Sequence, residues 1–285
     1  MGTGQGGGGE DPGPAGAAGV TVVEQSPSGP ATRKKSLGQR AAFVRWTIVV
    51  GLIVILEATT RTDLISQSLM VPPSEILARL VSIVPSAQFG QDAARTLSTI
   101  LISFGIGLFL GVPFGVFLWR VPAAGRILEP FIVTGYAMPT LLFYPVLLAV
   151  MGLNAGPIIV IAASMALIPI ALTTMVALNS VKPILHKLAS SVSASKRQYY
   201  AKVLFPAATP LIFPGVKLGF IYAVIGTVAM EFILASRGIG FRAGFYYREL
   251  NTGDMWAYIA VVVLLSVLVN ELLTWTEKRI RRDML

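Results

Sequence analysis

Six apolar stretches, at 44–60, 96–119, 127–152, 157–180, 208–235 and 256–276, dominate this chain of 285 residues. A helix takes roughly 20 residues to cross about 30 Å of hydrocarbon, so runs of this length point to membrane spans. Composition supports that reading. Apolar residues make up 54% of the chain and charged ones 13%, with a mean hydropathy of +0.71. A soluble domain carries about 25% charged residues, and so few charges leave a water-facing surface uncovered. The expectation is an all-α membrane protein with six transmembrane helices. The third and fourth spans are expected to be broken by Pro139, Pro145 and Pro169, kinks that a bundle tolerates where neighbours satisfy the freed carbonyls.

Orientation follows from the basic residues, which favour the cytoplasmic side. With the N-terminus inside, the inner segments hold sixteen of the 23 Lys and Arg residues, six fall outside, and Lys217 sits near the inner end of the fifth span. Trp46, Trp119, Trp256 and Trp275 all fall at span ends, where amphipathic rings prefer the headgroup level. Both termini are therefore expected in the cytoplasm. The formal charge of +9 is distributed by membrane side, which argues against a nucleic-acid partner. Residues 1–40 read as a Gly- and Pro-rich disordered tail, since the stretch to about residue 32 has no apolar periodicity to offset chain entropy. The membrane-embedded body is then 41–285. There is no Cys and a single His, His186, so thiolate chemistry and paired-imidazole metal sites are excluded, and no cofactor is expected.

One connection is too long for a simple turn. Between spans four and five, residues 181–207 read VKPILHKLASSVSASKRQYYAKVLFPA. Pro183 suits a helix start, and Ile184, Leu185, Leu188 and Val192 recur at helical spacing. Tyr199 with Val203 and Tyr200 with Leu204 repeat the pattern, with Ser190, Ser191, Ser193 and Ser195 between the groups. Two short helices with a small-residue bend are expected, the second ending at Pro206. Such a segment either lies on lipid headgroups or fits a groove on a cytoplasmic partner; the residues alone leave both open.

The segment resembles the cytoplasmic loop of bacterial ABC-importer permeases, whose pattern runs Glu-Ala-Ala, then Gly, then Ile-x-Leu-Pro. Ala189, Val203 and Pro206 fall in register with it, and Ala194 and Ser195 match what commonly follows the Gly. Lys187 stands where that family has Glu, Leu188 replaces the first Ala, Ser193 replaces the Gly and Phe205 the Leu. The resemblance extends from about 44 to 277 and is nearest the nitrate/sulfonate/taurine branch. It is carried by VPPSEIL at 71–77, RTLSTILISFGIGLFLGVPFG, PFIVTGYAMPTLLFYPVLLAVMG, LIPIALTTMVALNSVKPIL and GTVAMEFILASRGIGF.

That resemblance implies a permease subunit that moves a small solute by alternating access, and not an enzyme. The loop would form coupling helices docked on two separate ABC ATPase subunits, with Tyr199, Tyr200, Val203 and Leu204 supplying the contact. An extracytoplasmic binding protein and a second permease copy, as a homodimer, are the further partners implied, in a bacterial inner membrane. No internal repeat supplies a second half, and no nucleotide-binding motif supplies energy. The competing class is an ATP-independent secondary transporter or channel, which predicts inverted repeats and charges near mid-membrane.

Three further features have plain readings. Gly107, Gly111 and Gly115 repeat every four residues, a spacing that lets helices approach closely; packing within the subunit is expected over a dimer contact. Glu57, Glu129 and Glu271 lie near span ends or basic neighbours and read as interfacial or paired. Glu231, near the outer end of span five and followed by ASRGIG, is a candidate gate residue with Gly238 and Gly240. GIGFRAG at 238–244 lacks the strand and spacing of a dinucleotide loop. NTGD at 251–254 lacks a second buried Asp to make it proteolytic.

Overall fold

The computed structural model describes residues 31–66, 68–137 and 140–282; Pro139 and tail residues 1–30 lie outside them. Among the described residues every regular element is helical. By its contacts the chain divides after Gly51 into two units. The first unit, where described, is the N-terminal part of α1 (Ala31–Arg61). Residues 31–40, expected in the tail, are helical. The reason is local: after Pro30 no proline and one glycine, Gly38, interrupt the sequence as far as Val50.

The second unit, Leu52–Leu285, holds the bundle. Its elements are α2 (Pro73–Ile83), α3 (Ala87–Arg120), α4 (Pro122–Ala137), a 3-10 turn (Thr140–Phe143), α5 (Tyr144–Met151) and α6 (Gly156–Asn179). There follow α7 (Pro183–Ser191), α8 (Lys196–Gln198), a π turn (Tyr199–Leu204), α9 (Phe205–Leu234), α10 (Ile239–Arg248) and α11 (Thr252–Arg282). Among the described residues five helices are long and apolar enough to cross a membrane, or six if the bent pair Pro122–Gly135 and Thr140–Met151 counts as one.

The prolines act differently from expectation. The stretch expected as the third span is described as two helical pieces, Pro122–Gly135 and Thr140–Met151, set at 84° to each other, and Pro139 lies outside the described residues. Pro145 occupies the first turn of α5, where its missing N–H belongs to a helix start rather than to a kink. Pro169 interrupts nothing: α6 runs unbroken through it, with Pro169 buried. The neighbours of α6 explain this. A Cβ on Gly107 would lie 2.8 Å from Ala166 Cβ, and one on Gly115 would lie 2.4 Å from the Ala171 carbonyl oxygen. From α9, Gly215 and Gly219 approach equally close to Thr173 and Ile170, and Ile170 is met from α3 as well, by Gly111. Helix α6 is thus clamped between the backbones of α3 and α9, and the four-residue glycine stripe is consumed inside the subunit. Most of α6 is buried by these contacts, while Val160 and Val176 stay exposed, and a mostly apolar sequence all round the helix suits both surroundings.

The α2 helix starts where VPPSEIL predicts, with Pro73 in its first turn. It is tied to α11 by Arg79, which donates to Glu75 at 2.7 Å and to Asp254 at 2.9 Å. Those two hydrogen bonds raise the Arg79 pKa above its ordinary value. NTGD is a helix start: the Asn251 side chain accepts from the Asp254 N–H and donates to the Asp254 carboxylate. Glu57 is paired, as expected, with Arg61 at 2.6 Å, and it also accepts from the N–H and hydroxyl of Ser74.

Candidate functional site: an elbow at one end of the bundle and a pinned turn at the other

Helix α6 delivers the chain to the 181–207 connection, and α9 carries it back through the bundle. The bend in that connection is built from two standard caps in series. After α7, the Ser193 N–H donates to the Ser190 carbonyl and the Ala194 N–H to the Ala189 carbonyl, both at 3.0 Å. That pair of bonds is a Schellman motif, which requires a left-handed residue at its turn, usually Gly. Ser193 fills the position at φ 50°. One residue later a capping box opens α8, with the Ser195 hydroxyl accepting from the Gln198 N–H and the Gln198 side chain accepting from the Ser195 N–H. The serines of SVSAS therefore form the bend, and the residue in the position of the family's Gly keeps the glycine-like conformation. A non-Gly residue there costs about 1 kcal/mol. Ser193→Gly is expected to raise stability by that amount, measured as a higher thermal unfolding midpoint in nanodiscs; an unchanged or lower midpoint contradicts the strain.

Beyond the bend, two expectations change. Pro206 does not end the second helix. The π turn leads directly into α9, closed by the Phe205 N–H donating to the Tyr200 carbonyl, and Pro206 sits in the first turn of α9. A π turn passes its bonding on five residues back, so a proline lacking its N–H at that junction breaks little. The contact residues also face the other way. Leu204 is 0% exposed, packed with Ala177, Leu178, Val181, Ala208 and Ile212, and Tyr199 and Tyr200 are half-buried against the same cluster. The Tyr199 hydroxyl meets His186 Nδ1 at 2.5 Å. The Tyr200 hydroxyl accepts from Arg120, and its ring stands edge-on to Trp119. These side chains, with half-buried Val203, bind the elbow to its own bundle. The large apolar residues left open are Ile184 and Leu188 on α7 and Val192 just after it, at 64, 58 and 69% exposure. Spaced four apart, they form one stripe, flanked by exposed Lys187.

At the other end of the bundle, the turn between α9 and α10 is held by three buried side chains. Glu231, 1% exposed, accepts on Oε2 from the Thr96 hydroxyl at 2.7 Å and from the Gly240 N–H at 3.1 Å. Thr96 Oγ1 in turn accepts from the Ile239 N–H at 2.8 Å. Asp92 accepts from the Gly238 N–H at 3.0 Å and pairs with Arg242 Nε at 2.6 Å. Gly238 has φ 116°, and a Cβ there would stand 2.5 Å from the Glu231 carboxyl atoms. Three of the orphan N–H groups at the start of α10, on Gly238, Ile239 and Gly240, thus meet an oxygen from α3 or α9, as a buried helix start requires.

Sequence reading reached Glu231, Gly238 and Gly240 but missed Asp92 and Thr96, the half of the cluster on α3. A spacing of four places both on one face of a helix. That signal was available, yet their partners lie some 140 residues on in sequence and no periodicity reports that pairing.

The family described as binding-protein-dependent transport system inner membrane component matches residues 103–282. The chain belongs to that family. As such a transport component it is a multi-pass membrane permease. It is similar to the taurine transport system permease protein TauC of Escherichia coli strain K12, 27% identical over 233 residues that cover 79% of this chain and 85% of TauC. It is also similar to the formylaminopyrimidine transport permease protein ThiX of Halalkalibacterium halodurans, 24% identical over 80% of this chain and 94% of ThiX. Among solved structures, a chain of the inward-facing MetNI methionine ABC transporter shares the fold with a TM-score of 0.58 at 22% identity. That match covers 70% of this chain and 96% of that one.

Proposed function

We propose that this permease moves a small solute through the membrane by alternating access, driven by two copies of a separate ABC ATPase that dock on the elbow. The observation that carries the reading is the open stripe of Ile184, Leu188 and Val192 on a short helix whose other face is bound into the core. An amphipathic helix that shows its apolar side outward is shaped for a groove. Lys187, Ala189, Ser193, Ala194 and Ser195 set the geometry of that helix and its bend. Tyr199, Tyr200, Val203, Leu204 and Pro206 join it to α9. Force applied at α7 would then pass to the ends of α6 and α9 together, and the clamped trio α3, α6 and α9 would move as a body.

The rest of the assembly follows the family reading. The permease body is 41–285, both termini are cytoplasmic, a second copy completes the pathway as a homodimer, and an extracytoplasmic binding protein delivers the solute. The bend in the third span, beside the pathway, and the Glu231–Gly238–Gly240 turn, as an outer gate, are the moving or hinging parts. The substrate class is a sulfonate-, taurine- or nitrate-like anion, or a related small organic compound.

The test is co-purification of the permease with its ATPase, and nucleotide-dependent uptake in vesicles, for Ile184→Ala with Leu188→Ala. Removing two half-exposed anchors at a docked interface is expected to weaken assembly about tenfold. Undiminished assembly and uptake would falsify the docking role, as would uptake by the chain alone without nucleotide.

A further inference from the structure

The pinned turn leaves charge over. Next to it, a pocket of about 310 Å³ is lined by Arg95 and Thr99 of α3, Tyr144 of α5, Asn154, Glu231 and Arg237. A second, of about 370 Å³, shares Arg95, Ser236 and Arg237 with the first and adds Asp92 and Arg242. Across the two pockets there are three guanidiniums, on Arg95, Arg237 and Arg242, against two carboxylates, on Asp92 and Glu231. The carboxylates are already committed. Asp92 holds Arg242 and the Gly238 N–H, and Glu231 holds Thr96 and the Gly240 N–H. Among the described residues, neither Arg95 nor Arg237 has a carboxylate within 4.0 Å, whereas Arg61 and Arg242 each have one and Arg79 has two.

We propose that Arg95 and Arg237 form a binding subsite for the oxyanion group of a small solute, at the end of the permease opposite the elbow. The inference rests on the transport reading above and deepens it, since it gives the permease chain its own part in selecting charge. Guanidinium is the side chain best matched to a planar or tetrahedral oxyanion, through forked N–H donors. The size of each pocket lies at the small end of the range for small-molecule sites, about 300–1,000 Å³, so a compact ligand is implied. Glu231 on the same wall disfavours a second negative charge and leaves room for a ligand with one anionic head. Because the arginines stand on two elements, α3 and the α9–α10 turn, a bound anion bridges them and biases that end of the bundle toward one arrangement.

The test measures phenylglyoxal modification of individual arginines by peptide mass spectrometry, on the full chain in nanodiscs at constant ionic strength. Probes are sulfate, nitrate, taurine and acetate at about 10 mM, with glycerol as the uncharged control. For a Kd of about 1 mM, roughly one site in ten stays free. Arg95 and Arg237 are then expected to react at least about fivefold more slowly with at least one anion, and at an unchanged rate with glycerol. Exposed Arg197 on the elbow is expected to react at the same rate throughout. In Arg237→Gln the anion is expected to stop protecting Arg95. Equal rates at Arg95 and Arg237 with all four anions overturn the subsite, and so does equal slowing at Arg197, which indicates general screening. Co-purification with the ATPase from the same preparation reports on the transport reading separately, so a subsite that fails in an assembling permease fails alone.

Discussion

Replacing Gly238 with valine is expected to destabilise the permease by about 3 kcal/mol or more and to leave little folded protein in the membrane. Two costs add. At φ 116° the backbone lies where only glycine is at ease, and valine, branched at Cβ, is worse there than alanine. Its Cβ would also stand 2.5 Å from the Glu231 carboxyl atoms, which cannot retreat without releasing the Thr96 hydroxyl and the Gly240 N–H. A double-mutant cycle separates the two. In a Glu231→Ala background the steric share disappears and the backbone share remains, so Gly238→Ala is expected to cost less there than in the natural chain. The measurement is the thermal midpoint of each variant in nanodiscs. Additive costs across the cycle would place the penalty in the backbone alone and reject the steric half.

That cluster also marks where sequence reading stops. The class of the molecule was legible because burial in lipid demands apolar length, and length is visible in one dimension. Gly107, Gly111 and Gly115 were legible as a packing face because helical spacing is local, and the structure spends them on α6. The serine bend was legible for the same reason: caps are decided within four or five residues. What was not legible is direction. The apolar positions 199, 200, 203 and 204 have the same periodicity whether they face a partner or the protein's own core. Burial of Leu204 is decided by Ala177 and Leu178 of α6, which no spacing connects to it. The α7 stripe was present in the sequence as Ile184, Leu188 and Val192, but nothing local says that it stays uncovered. Pro206 misled in a similar way, because a proline reads as a stop unless the π turn before it is known.

The inward-facing Leu204 leads to the second large effect, Leu204→Ala. A fully buried leucine truncated to alanine costs about 2–5 kcal/mol, depending on how far the site collapses. This site is bounded by α6 residues Ala177 and Leu178, by Val181 and by Ala208 and Ile212 of α9, and two of the five are already alanines, so little can move in to fill the cavity. A cost near 3 kcal/mol is expected. The location makes the functional consequence distinct from that of a docking mutation. Ile184 and Leu188 remain exposed on α7, so the ATPase is expected to assemble with the variant as with the natural chain. What weakens is the joint between elbow and bundle, where Tyr200 still anchors to Arg120 and Trp119 but the apolar centre is hollow. ATP turnover is then expected to persist while solute uptake per ATP falls severalfold, measured together in vesicles loaded with the complete transporter. Loss of assembly in Leu204→Ala at a temperature where the variant is folded contradicts this division of labour and returns Leu204 to the docking face. Preserved assembly with a full uptake ratio shows that motion reaches α9 by another route.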